Sequence, residues 1–110
     1  MSDVENARVA LIKRVLEGDG KAPRATRKAA FDGCGLSGPS QMLIDKIAND
    51  AHRITDEDIA AVKASGLNEN EVFELAVCAA IGQAARQYDA ARAALRSVAG
   101  EGSHAASGSR

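Results

Sequence analysis

The sequence predicts an all-α fold, an antiparallel bundle of about five helices with a long central helix at its C-terminal end. Alanine, the strongest helix former, fills 23 of the 110 positions, whereas only three residues are aromatic and two are proline. β-branched and aromatic side chains favour strands, so their low share argues against a sandwich or a barrel. A chain of this length has room for one domain, which we assign to residues 1–98.

Capping and glycine signals divide the N-terminal third into two helices. Ser2 and Glu5 have the spacing of a capping box, and the amphipathic pattern that follows them ends at Gly18. A second, weaker helix is predicted over residues 21–32, with Pro23 in its first turn.

Two further helices are predicted before the long one. Gly38 and the proline after it open the third helix, which carries an apolar stripe. Thr55 caps the fourth helix ahead of three acidic residues, which favour the positive end of the helix dipole. Ile59 and Val62 are predicted to face inward, and Gly66 to end this helix.

The fifth helix is capped by Asn68 and predicted to run to about Val98, roughly 45 Å. Eight apolar or small residues recur along it at steps of three and four. These eight residues, called the seam below, are Phe73, Val77, Ala80, Ala84, Tyr88, Ala91, Leu95 and Val98. A second apolar stripe lies beside the seam, formed by Val72, Leu75, Ala76 and Ala79.

A helix that is apolar on nearly every side must be buried on several sides. We therefore expect both stripes to be covered. The four shorter helices offer too little apolar surface to cover a helix this long, so the chain is predicted to form a homo-oligomer. Residues 99–110, rich in Gly, Ser and Ala, are predicted to be a disordered tail.

Charge and composition exclude several classes of function. The formal net charge is −1, which argues against a general polyanion binder. The apolar spacing around Gly66 also fits a helix-turn-helix. Residues 55–80, however, contain six acidic residues and one lysine, whereas binding to phosphates requires basic side chains, so no nucleic-acid partner is expected. No window is apolar enough to span a membrane, and no signal peptide is visible, so a cytoplasmic location without membrane contact is expected. His52 and His104 are isolated, with no Cys or carboxylate cluster at ligand spacing, so no metal is expected. No cofactor is expected either.

The two cysteines are 44 positions apart and form no redox or disulfide motif. Cys78 lies among apolar residues of the long helix and is predicted to be a packed core thiol. Cys34 lies in a glycine-rich turn near basic residues and is the better candidate for a reactive thiol. The basic cluster that precedes this turn is predicted to be a solvated helix face and comprises Lys21, Arg24, Arg27 and Lys28.

Several stretches between residues 43 and 95 resemble carboxymuconolactone decarboxylase-like proteins of the alkylhydroperoxidase D-like superfamily. They are ITDEDI from Ile54, ASGL from Ala64, EVFELA from Glu71, AAIG from Ala79 and YD at Tyr88. The resemblance implies the helical fold of that superfamily. It also implies oligomers, often trimers or hexamers.

Peroxidase members of this superfamily carry Glu-x-x-x-Cys-x-x-Cys-x-x-x-His, whose two thiols cycle through a disulfide. With Cys78 as the first cysteine, Glu74 has the right spacing, but Ile81 and Ala85 replace the second cysteine and the histidine. With Cys78 as the second cysteine, the glutamate position is filled by Glu71, while Leu75 and Gly82 replace the first cysteine and the histidine. Neither alignment leaves a dithiol, so no catalytic residue is carried over.

The function therefore stays open between three hypotheses. The first is a small alkylhydroperoxidase D-like protein that lacks the dithiol motif and acts on an unknown small molecule or is not catalytic. The second is a non-enzymatic module for helical oligomerisation or interaction. The third is a one-cysteine thiol peroxidase. The candidate site residues are Cys78, Glu74, Tyr88 and Cys34.

Overall fold

The computed structural model describes the backbone of residues 3–106 and the side chains of residues 3–99. Its five α-helices are α1 (Asp3–Glu17), α2 (Arg24–Asp32), α3 (Gly38–Asn49), α4 (Asp56–Ala64) and α5 (Glu69–Ala106). A short 3-10 turn, Ala51–Arg53, joins α3 to α4. No strand occurs within residues 3–106, so the prediction of an all-helical chain with a long C-terminal helix is confirmed.

Local capping explains why the last two helices begin where the sequence predicts. The Thr55 hydroxyl accepts a hydrogen bond from the backbone N–H of Asp58, whose carboxylate accepts from the N–H of Thr55. Asn68 and Glu71 form the same reciprocal pair at the start of α5. The predicted cap at Ser2 lies outside the described residues.

The second helix starts three residues later than predicted. Pro23 has an extended backbone (ψ 149°) and precedes the first helical residue, Arg24. The N–H groups of Lys21 and Ala22 are bonded instead to the Glu74 side chain on α5. A tertiary contact thus holds these residues outside the helix.

The core forms on one side of α5. One cluster of buried residues comprises Ala22, Ala30, Ile44, Leu75, Cys78 and Ala79. A second joins α3, α4 and the first turns of α5 through Leu43, Val62 and Val72. The prediction that Val62 faces inward is confirmed, and Ile59 is half-buried against this second cluster.

The prediction that the seam is buried is wrong for a single copy of the chain. Only the second stripe of α5 is covered, because the other helices pack against that side and its flanks. Val77 and Tyr88 of the seam are half-buried, and the other six residues are exposed. Phe73, Leu95 and Val98 keep 69%, 70% and 67% of their surface. A large apolar strip therefore faces outward.

The amphipathic pattern of the first helix predicts that its apolar residues face inward, and the sequence predicts an end of α5 near Val98; both predictions need correction. On α1, Val4 and Leu11 are exposed, whereas Glu5 is buried because its carboxylate pairs with Arg8 and Arg92. Helix α5 continues to Ala106 instead of ending near Val98, since no proline interrupts the alanine-containing segment that follows. Residues 107–110 of the predicted tail lie outside the described residues.

Within residues 3–106, no helix combines the length and the apolar character needed to cross a lipid bilayer.

Candidate functional site

An open cleft of about 470 Å³ lies between the end of α1, the segment before α2 and the first half of α5. Its lining mixes apolar groups with two arginines and two carboxylates. The lining residues are Arg14, Val15, Gly18, Asp19, Arg27, Phe73, Glu74, Val77 and Cys78. Two of the predicted site residues, Glu74 and Cys78, therefore meet at one surface feature.

The Glu74 carboxylate holds the segment before α2 against α5. Its two oxygens accept hydrogen bonds from the backbone N–H of Lys21 (2.8 Å) and of Ala22 (2.9 Å). Desolvation by itself raises the pKa of Glu74, but the two N–H donors and the charge of Arg27 outweigh it. The pKa is held below its ordinary value. Glu74 is therefore an ionised, hydrogen-bonded acceptor and is poorly suited to act as a general acid or base.

Arg27 is buried, with only 5% of its surface exposed, and closes the end of α1. One of its Nη groups donates to the carbonyl oxygens of Val15 (3.2 Å) and Gly18 (2.7 Å). Its Nε is buried without a hydrogen-bond partner. The prediction that Arg27 belongs to a solvated basic face is wrong, because the last carbonyls of α1 need donors and the guanidinium supplies them. Lys21, Arg24 and Lys28 are exposed, as expected.

The Cys78 thiol lies at the inner end of the cleft and is 2% exposed, so the prediction of a packed core thiol is confirmed. Its Sγ donates a weak hydrogen bond to the carbonyl oxygen of Val15 at 3.6 Å. Burial raises the pKa of Cys78, and Glu74 raises it further, whereas Arg27 lowers it; the net direction is upward. Because the thiolate is the nucleophilic form, this cysteine is poorly prepared for attack.

The other two candidates lie away from the cleft lining. Cys34 is exposed in the turn after α2. Tyr88 lies further along α5, where the guanidinium groups of Arg8 and Arg92 lie over its ring, 5.0 and 5.6 Å from the ring centre. The fold therefore does not bring all four predicted site residues together.

Sequence reasoning missed Arg14 and Asp19, which complete the polar part of the lining. The only available signal was their position at the end of α1, and that signal is too common to single them out. Among the described residues, no group of three or more His, Cys, Asp or Glu side chains is arranged to hold a metal ion. The cleft therefore presents a mixed polar and apolar surface without a nucleophile that is ready to react.

Comparison with protein-family models, with curated proteins and with solved structures gives no match to this chain.

Proposed function

We propose that this chain is a small alkylhydroperoxidase D-like protein without a dithiol centre whose main role is self-assembly through the exposed face of α5. The observation that carries the proposal is the seam, in which six of eight uncharged residues are exposed along one face. Burying a side chain such as Phe73 or Leu95 is favourable by about 1.5–3 kcal/mol. A contiguous exposed apolar surface is typical of protein interaction sites.

The chemistry of the cleft supports assembly over thiol redox catalysis. Glu74 is engaged by two backbone donors, and Cys78 is buried with a raised pKa. Glu74 and Cys78, which match the first two positions of the peroxidase motif, thus have a structural role where α1, α2 and α5 meet. A one-cysteine peroxidase would need a thiolate that is stabilised and accessible, and Cys78 is neither.

Multi-angle light scattering at micromolar concentration tests the proposal. The wild-type chain is expected to elute at a multiple of its 11.4 kDa mass. Leu95→Glu places a charge on the seam and is expected to dissociate the assembly. Ala93→Glu is the matched control, because Ala93 is also exposed on α5 but lies outside the seam. A wild-type protein that is monomeric and helical by circular dichroism would overturn the proposal.

The cleft favours a second candidate function, the binding of a small organic molecule. Its volume of about 470 Å³ lies in the range of ligand pockets, usually about 300–1,000 Å³. Phe73 and Val77 offer an apolar wall, and Arg14 offers a cation at the rim. The probe is benzoate, which carries one apolar ring and one carboxylate. Protection against thermal unfolding that Arg14→Gln removes would support this candidate, and unchanged melting at millimolar benzoate would count against it.

A further inference from the structure

We propose that two copies of this chain pair through antiparallel α5 helices, seam against seam, so that the far end of each α5 covers the cleft of its partner. This inference rests on the proposed self-assembly and adds its orientation, its register and its effect on the cleft. The occupant of the exposed face is a second copy, because the seam is complementary to itself when one copy is reversed.

The spacing of the seam is nearly the same in both directions. Its steps are 4, 3, 4, 4, 3, 4 and 3 residues, so a reversed copy brings every member opposite another member. Phe73 then faces Val98 of the partner subunit, and Val77 faces Leu95 of the partner subunit. Ala80 faces Ala91 of the partner subunit, and Ala84 faces Tyr88 of the partner subunit. The two-fold axis repeats each of these four pairs, so the interface contains eight layers of facing side chains, and both copies use the same surface.

The sizes of the side chains also favour the reversed arrangement. Parallel pairing would place Phe73 and Tyr88 each against its own copy. Between these two layers Val77, Ala80 and Ala84 would each face its own copy as well. Because the distance between two packed helices depends on the side chains at their contact, such layers demand different separations within a few turns. Reversal places the bulky Tyr88 against Ala84 of the partner subunit, so that no layer pairs two aromatic side chains; Ala80 against Ala91 of the partner subunit is the one kind of layer with two small residues.

The residues that flank the seam on its far side from α1 are also uncharged. They are Ala76, Gln83, Gln87 and Ala94. In the same register Gln83 lies near Gln87 of the partner subunit, where each amide can both donate and accept a hydrogen bond. Between residues 75 and 99 the charged residues of α5 are Arg86, Asp89, Arg92 and Arg96. None of them belongs to the seam or to this flank, and Arg92 lies on the opposite flank, over the ring of Tyr88. Depletion of charge is the mark of the buried centre of a protein interface.

The position of the helical body on α5 selects the same orientation. Helices α1 to α4 pack against α5, and α1 reaches along α5 as far as Arg92, which pairs with Glu5. The side chains described beyond that point, residues 93–99, are all exposed. In the antiparallel register, residues 93–98 lie along residues 73–78 of the other copy, and residues 79–92 of the two copies face each other. A parallel pair would place the two projecting ends against each other and away from both bodies.

The consequence for the cleft follows from Phe73 and Val77, which belong both to the seam and to the cleft wall. In the reversed register their partners are Val98 and Leu95 of the partner subunit. The partner's helix end therefore covers the open side of the cleft, and a cleft within one chain is only part of the site. Cys78 and Glu74 become still less accessible in the pair.

Disulfide trapping tests orientation and register. In a Cys34→Ser background, Phe73→Cys protein and Val98→Cys protein with a size tag are mixed and oxidised, with the buried Cys78 left in place. Both substituted positions are exposed, so neither change disturbs the core. The mixed Phe73→Cys/Val98→Cys disulfide is expected to exceed either same-variant disulfide by about tenfold, because pairing raises the effective concentration of the two thiols.

A second pair, Val77→Cys with Leu95→Cys, is expected to give the same result if either variant of the first pair folds poorly. The matched control is Ala93→Cys mixed with Phe73→Cys, which should give no preferred product, since Ala93 lies off the seam. Preferred self-disulfides of Val98→Cys would show parallel pairing and overturn the proposal. If light scattering shows an oligomer but the disulfides form without preference, the proposed register is wrong and the proposed self-assembly is still supported. A monomer would overturn both.

Discussion

The backbone carbonyl of Phe31, at the end of α2, packs directly on Gly82 in the middle of α5. A Cβ at position 82 would overlap the carbonyl oxygen, the carbonyl carbon and the Cα of Phe31. One turn further along, an Nη of Arg86 donates to the same carbonyl oxygen at 2.6 Å. The missing side chain of Gly82 and the charged donor of Arg86 together fix where α2 crosses α5, and with it the position of the cleft.

Gly82→Ala is expected to destabilise the protein by about 3 kcal/mol, because the added Cβ forces α2 away from α5. A loss of stability would itself indicate the close crossing, because replacing glycine by alanine within a helix ordinarily raises the free energy of unfolding by about 1 kcal/mol. Urea unfolding followed by circular dichroism measures the difference. The control Ala90→Gly, at an exposed position of the same helix, should cost about 1 kcal/mol. A Gly82→Ala protein as stable as the wild type would contradict the close crossing.

Arg27→Gln is expected to lower the free energy of unfolding by about 2–3 kcal/mol, because the carbonyls of Val15 and Gly18 lose a charged donor. The control Arg24→Gln changes an exposed arginine of the same helix and should stay within about 0.5 kcal/mol of the wild type. Thermal and urea unfolding of the three proteins test this difference. Equal effects of the two substitutions would mean that Arg27 does not close α1.

The stabilising effect of Glu74 is expected to depend on pH. Its pKa in the folded protein is lowered, so its contribution is complete above the ordinary value of about 4.3 and is lost as the pH falls through the folded pKa. The stability difference between wild type and Glu74→Gln should therefore shrink between pH 6 and pH 3. Asp58, whose pKa is lowered chiefly by its hydrogen bond to Lys46, is present in both proteins and cancels in the comparison. A difference that stays constant over this range would refute the assigned role.

The two thiols are expected to differ strongly in their reaction with Ellman's reagent. Cys34 is exposed and should react in the native protein, whereas Cys78 should react only on unfolding, because it is buried and its pKa is raised. Cys34→Ser and Cys78→Ser separate the two signals, and reaction in urea gives the total. Rapid native labelling of Cys78 would contradict this assignment. Hydroperoxide turnover that disappears in the double variant would restore the one-cysteine peroxidase hypothesis.

The starts of α4 and α5 could be predicted from the sequence because a cap joins residues only three positions apart. The Thr55–Asp58 and Asn68–Glu71 pairs are complete within one turn, so the sequence contains everything that forms them. The burial of Cys78 was also predictable, since its neighbours on both sides are apolar.

The cleft was not predictable in the same way, because its contacts join residues far apart in the chain. The bonds from Lys21 and Ala22 to Glu74 span more than fifty positions, and Arg27 looked like one more surface cation until the end of α1 was placed beside it. Contacts between positions so far apart cannot be inferred from amino-acid composition or from the spacing of residues along the chain.

What the sequence by itself determined is the helical class, the number of helices and the two apolar stripes of α5. Which stripe would be buried was decided only by the tertiary structure. Both stripes have the spacing that fits a helix face, but Gly82 lies beside Leu75 and Ala79 and lets α2 approach that side closely. Four shorter helices cannot cover every side of a helix as long as α5. Because they pack on the side that contains Gly82, Phe73, Leu95 and Val98 on the opposite side stay exposed.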